Sequence, residues 1–268
     1  MVTGIGEIKM ENFRKALDKI KKQKYLEYLL LAVIVVQFLF ILYTNLTKIP
    51  ATLDNDAAKV FIHAMEMWKH KTFFVPAWKN MTTLEVDCST LLALPIYGIT
   101  KDIYKSFGAA NVLILAVYIY IFNILMNRLN SGKIAKYMAI IMLMIPFGFG
   151  QLMYYNMMFF AAGQYNIKVL VPLMMLIVII SEKLDLETII IGVVCIFLTC
   201  ILGISSGPYV IATGIIPILA GYILFDLLKR NKITELANYK TYFIILEILA
   251  AYIGEKICLR ADVNDSVK

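Results

Sequence analysis

The feature that most constrains this chain is a set of uncharged apolar runs: Leu29 to Asn45, Ala109 to Asn127, Tyr137 to Asn166 and Thr188 to Leu224. Each reaches or exceeds the roughly 20 residues that cross about 30 Å of hydrocarbon. Inside lipid such a run must be helical, because only a helix satisfies all of its backbone hydrogen bonds within the segment. The sequence therefore predicts an all-α, polytopic membrane protein. Of 268 residues, 60% are hydrophobic and 17% charged, too apolar for the surface of one soluble domain.

The net charge of +7 does not point to nucleic acid, because the basic residues are spread along the connections between apolar runs and do not line one face. Cys88, Cys195, Cys200 and Cys258 lack ligand spacing and read as packing residues. The basic residues are mostly lysine, and Ile, Asn and Tyr are frequent, which points to an AT-rich bacterial genome.

Residues 1–24 place Arg14, Lys15, Lys19, Lys21, Lys22 and Lys24 among Ile8, Phe13, Leu17 and Ile20, the pattern of a basic amphipathic segment on the cytoplasmic face. The run from Tyr25 is too long for a signal-peptide core and has no cleavage site after it, so it reads as the first span. The seven expected spans are 25–44, 107–127, 134–149, 166–180, 187–204, 209–228 and 241–255. They form one transmembrane module, 25–255, followed by an outer tail at 256–268. The segment Ser89 to Tyr104, broken by Pro95 and Gly98, is taken as interfacial or re-entrant. A spanning segment there would put every later basic loop outside, against the positive-inside rule. The N-terminus is then inside, in the plasma membrane, and one large outer loop, 45–106, carries short interfacial helices.

That loop holds the chemistry-bearing residues. Asp54-Asn55-Asp56 is a carboxylate pair that can ligate a divalent cation or act as general base, and Asp56 also reads as a helix cap for Ala57 onward. A helical stretch to Trp68 carries His63, two turns beyond Asp56. Phe73-Phe74-Val75-Pro76-Ala77-Trp78 follows, then a second acidic pair, Glu85-Val86-Asp87, then Leu94-Pro95-Ile96-Tyr97. Lys59, Lys79, Lys101 and Lys105 add positive charge on the outer side, and Gln164 and Asn166 stand near the start of the fourth span. Asn45-Leu46-Thr47 and Asn80-Met81-Thr82 are sequons without expected use.

The order of these elements resembles the first outer loop of the GT-C glycosyltransferases, in the branch of protein O-mannosyltransferases and lipid A aminoarabinose transferase. There a carboxylate pair follows the first span, and a short helix leads to a Val-Pro passage. An acidic residue then precedes a proline-containing surface helix. The resemblance implies transfer of a sugar from a polyprenyl-phosphate donor to an outer-face acceptor, a glycan, lipid or protein. It implies Asp54, Asp56 and Glu85 as catalytic groups, one aspartate being the base and the three sharing any divalent cation. It further implies His63, Trp78, Lys79, Asp87, Lys101, Lys105 and Gln164 as substrate contacts. This sequence departs from the family in having Asp87-Cys88-Ser89 where Pro-Pro is usual, in lacking an acidic residue in the second outer loop, and in its shortness, which suggests a truncated chain. Two other readings stand beside it: a transporter or flippase, against which the scarcity of ionisable groups in the spans weighs, with Glu247 the main exception, and a non-catalytic accessory chain or fragment.

Overall fold

The computed structural model describes residues 3–76, 78, 84–145, 157–228 and 238–265, with 3–21, 226–227 and 259–265 described by backbone alone. Among these the chain is helical, with no strand. Helix α1 runs Thr3–Thr47 without a break, joining the basic segment and the first expected span into one rod of 45 residues. A 3-10 turn, Ile49–Thr52, leads to α2 (Asn55–His70), followed by α3 (Thr90–Thr100), α4 (Ile103–Arg128) and α5 (Lys133–Leu143). Then come α6 (Asn166–Ile180), α7 (Leu186–Ser206), a π turn at Ile211–Ile215 running into α8 (Ile216–Leu228), and α9 (Tyr239–Asp265).

Six of the expected spans fall on these helices; the third, 134–149, is helical only to Leu143, with residues 144–145 outside the helix and residues 146–149 outside the described residues. Among the described residues three stretches are long and apolar enough to cross a membrane: Lys22–Thr47, Ile103–Arg128 and Leu186–Ser206. Helix α6, with 15 residues, is about 22 Å long and falls short of the hydrocarbon thickness. Helix α3, with 11 residues, is shorter still and does not span alone.

The three long helices share one end. Asn45, near the C-terminus of α1, lies against Gly108 near the N-terminus of α4, where an added Cβ would stand 2.1 Å from the Asn45 carbonyl oxygen. Ser205, at the C-terminus of α7, accepts at its carbonyl from Leu84 N–H at 2.9 Å. The loop between α1 and α4 therefore sits over the joined ends of all three.

Two apolar cores result. One fills the helical body, with Ile41, Leu115, Tyr118, Val171, Met175, Cys195 and Leu202 buried together. The other belongs to the loop: α2 turns Val60, Phe61, Ala64 and Met67 toward Ala93 of α3 and Phe107 of α4. Phe61 stacks on Phe107 at 4.1 Å between ring centres. Elsewhere α7 and α9 meet backbone to backbone, since a Cβ on Gly203 would come 2.4 Å from the Ala251 oxygen and one on Gly254 2.2 Å from the Cys200 oxygen.

Between the cores lies a buried polar junction. Asn111 Nδ2 donates to Asn45 Oδ1 and to the Ala161 carbonyl, both at 3.0 Å, and Asn45 Nδ2 donates to the Phe159 carbonyl at 2.9 Å. Ser89 Oγ donates to Asn111 Oδ1 and accepts from Asn166 Nδ2 at 2.7 Å. All four side chains are fully buried, and each amide has partners, as burial demands. The Asn45 sequon is thereby closed to modification. Gly163 crosses this junction at φ +56, and a Cβ there would stand 2.4 Å from both Asn166 Nδ2 and Ser89 Oγ. Gly163→Ala is expected to destabilise the protein by about 2–4 kcal/mol, from left-handed strain and overpacking together. A thermal melt of purified protein in detergent measures this, and a melting temperature equal to wild type would show that the junction tolerates expansion.

Candidate functional site

Helix α2 begins where Asp54, in extended backbone, accepts the Ala57 amide at 2.7 Å. The helix cap is thus Asp54, not Asp56 as the sequence suggested. The chain turns into the helix two residues earlier, and Asp56 falls in the first turn, exposed. Asp56, Lys59 and His63 follow at intervals of three and four, so they share one face of α2, with His63 about 10 Å along the axis from Asp56.

The end of the loop folds back onto that face. Glu85 adopts φ +63, in the left-handed region where a side chain other than glycine is strained. This turns its carboxylate toward α2, where Lys59 Nζ lies at 2.6 Å and His63 Nδ1 at 3.1 Å. Burial alone would raise the Glu85 carboxyl, but hydrogen bonds from His63 and Lys59, with the Lys59 charge, outweigh it and hold the group below the ordinary carboxylate range. An ionised carboxylate only accepts, so His63 Nδ1 carries the proton in this contact. The imidazole is fully buried and stacks on Trp78, with ring centres 4.5 Å apart and planes 6° from parallel. His63 Nε2 and Trp78 Nε1 are both buried without a hydrogen-bond partner.

Asp87, two residues on, faces the opposite way. It is buried against the ends of α6 and α7, accepting from Ser205 Oγ at 2.7 Å and from Ser206 Oγ, with Lys168 Nζ at 3.2 Å. Lys168 in turn sits 5.1 Å from the Tyr165 ring centre and donates to the Gln164 carbonyl at 3.4 Å. Cys88, the residue after Asp87, is sealed in the loop core, its thiol pushed up to about 12 by burial and by the Asp87 charge.

The structure thus gathers Glu85, His63 and Trp78, with Lys59, into one cluster and sends Asp87 to a second, buried one. Lys101 stands over the Trp68 ring at 5.0 Å, Lys105 pairs with Asp102 at 3.1 Å, and Gln164 contributes its carbonyl to Lys168. Lys79 lies outside the described residues.

Among the described residues no three His, Cys, Asp or Glu side chains come together as metal ligands. The physical reason is that Asp54 is turned to its own helix and Glu85 to two cationic or polar partners. The sequence reading missed Lys168, although it is the single charge between Lys136 and Glu182, and a charge so isolated among apolar residues calls for a counter-charge.

No protein-family model, curated protein or solved structure matches this chain. The site is therefore read from its own chemistry.

Two measurements follow from this geometry. Glu85→Gln removes a half-buried ion pair and is expected to lower stability by about 1.5–3 kcal/mol at neutral pH. Because the folded-state pKa of Glu85 is depressed, its contribution is present above the ordinary carboxyl value of about 4.3 and is lost as pH falls through the folded-state value. Melting curves of wild type and variant should accordingly be separated at pH 7 and converge in acid. Iodoacetamide applied to native protein at neutral pH should leave Cys88 unmodified in peptide mass spectra and modify it after denaturation. Rapid native labelling would contradict its sealed position.

Proposed function

We propose that this chain is a polytopic plasma-membrane glycosyltransferase of the GT-C kind. On this reading its seven helical segments span with the N-terminus inside, and it moves a sugar from a polyprenyl-phosphate carrier to an acceptor on the outer face. The observation that carries this reading is the strained Glu85, which fixes Lys59 and His63 on the α2 face that begins with Asp56. Backbone strain concentrates where a side chain is held for a task.

Asp56 is the general base. It is exposed, whereas Asp54 is engaged as the helix cap. Its carboxylate takes the proton of the acceptor hydroxyl as that oxygen bonds to the anomeric carbon, and the bond from that carbon to the phosphate oxygen breaks. The lipid phosphate leaves with the electron pair. Lys59, one turn from Asp56 and still partly exposed, faces the charge developing on that phosphate. Glu85 and His63 are positioning residues that hold the Lys59 ammonium at this level.

The test is transfer of radiolabelled sugar from a panel of polyprenyl-phosphate sugars in membranes containing the chain. Asp56→Asn should lower transfer by roughly 10²–10⁴-fold with expression unchanged. Asp54→Ser, which keeps a capping oxygen, should retain it. Equal loss in both variants would remove Asp56 as the base, and no transfer from any donor would count against the enzyme reading.

One observation favours a transporter instead. Glu247 is fully buried in α9 against Cys195 and Thr199 of α7, with no cationic partner among the described residues, an arrangement that intramembrane ion paths use. Uptake into proteoliposomes that is abolished by Glu247→Gln and indifferent to Asp56→Asn would decide for that reading.

A further inference from the structure

Helices α2 and α3 end in the same unusual way. Lys71 and Lys101 occupy their C-caps, each at φ +56, and donate their amides to the carbonyls of Met67 and Tyr97. Glycine takes this left-handed position without strain, so a lysine at both sites costs backbone energy that glycine would spare.

Both side chains return to a single ring. Lys71 Nζ stands 3.5 Å and Lys101 Nζ 5.0 Å from the Trp68 centre. Trp68 is seated on Gly98, where an added Cβ would come 2.3 Å from its Cη2, and it meets the Tyr97 ring edge-on at 6.3 Å. The ring is therefore a fixed platform bearing two cations.

The neighbouring cations are neutralised locally. Lys69 and His70 have Glu66 at 3.2 and 3.4 Å, and Lys105 has Asp102 at 3.1 Å. Lys71 and Lys101 have no carboxylate partner among the described residues, so two like charges share one ring without a counter-charge.

Their depth says what could lie there. Lys101 is two residues before Ile103, the start of the 26-residue α4. That helix is about 39 Å long against about 30 Å of hydrocarbon, so its ends project several ångströms into the headgroup layer. Ile99, beside the pair, is 85% exposed, an apolar tip at the same level. Tryptophan, lysine and an exposed aliphatic side chain at one height form the pattern of an interfacial anchor.

We propose that Lys71 and Lys101, set on Trp68, clamp the phosphate of an anionic phospholipid in the leaflet beneath the outer loop, with Ile99 among its acyl chains. The clamp anchors the α2–α3 module to the bilayer and is independent of the transfer chemistry.

The test uses the full chain purified in detergent, with lipid retention read by native mass spectrometry. The wild type should retain phosphatidylglycerol in preference to phosphatidylcholine. Lys71→Gly with Lys101→Gly removes both charges while relieving the backbone, so misfolding does not confound it, and should weaken phosphatidylglycerol binding roughly tenfold. Lys71→Arg with Lys101→Arg should keep it. The proposal is overturned if the glycine pair binds as wild type does, if the two lipids bind alike, or if excess inorganic phosphate displaces the lipid, which would mark a soluble-anion site.

Discussion

Four amide and hydroxyl side chains, Asn45, Ser89, Asn111 and Asn166, hold the loop between α1 and α4 to the helical body, and the rest of the structure depends on their being satisfied together. They come from α1, the strap before α3, α4 and the start of α6, elements far apart in sequence. Burying any one alone would cost more than a hydrogen bond returns. Linked, they fix where the loop lands, and with it the register in which Glu85 meets α2 and Asp87 meets α7. Dispersion and apolar burial fill the two cores, but neither is directional enough to set that register.

The strap from Leu84 to Ser89 illustrates how one short segment serves two neighbours. In plain extended backbone, Glu85 and Asp87 would point to the same side. The left-handed turn at Glu85 rotates its carboxylate to α2, while Asp87 remains with Ser205, Ser206 and Lys168, and Val86 between them enters the loop core. The two carboxylates thus take different partners. One lies at a partly exposed ion pair, and the other is sealed and structural.

Much of the architecture was legible in the sequence, because long apolar runs allow only helices and the charged connections mark their ends. The placing of the site was harder to read. Asp54 and Asp56 are equally plausible caps until the direction of chain entry is known, and the sequence favoured the wrong one. Nothing in the composition of Glu85-Val86-Asp87 signals a positive φ. The polar junction was invisible for another reason. A single asparagine in an apolar run has no periodicity, and Asn45 and Asn111 are 66 positions apart, so neither reveals the other. His63 was legible as a face-sharing partner of Asp56, but its stacking on Trp78 depends on a return of the chain that local pattern does not encode.

The glycine contact between α7 and α9 has a consequence for how such a chain drifts under mutation. The exposed residues of α7, such as Val193, Val194 and Phe197, can be exchanged among aliphatic and aromatic types with little effect. Gly203 and Gly254 have no such latitude, since a single methyl on either would force two whole helices apart at their backbones. Between related chains the seam should therefore persist as a pair of fixed points in an otherwise interchangeable apolar surface. Sequence comparison that weighs hydrophobicity would overlook it, and comparison that weighs glycine spacing would find it.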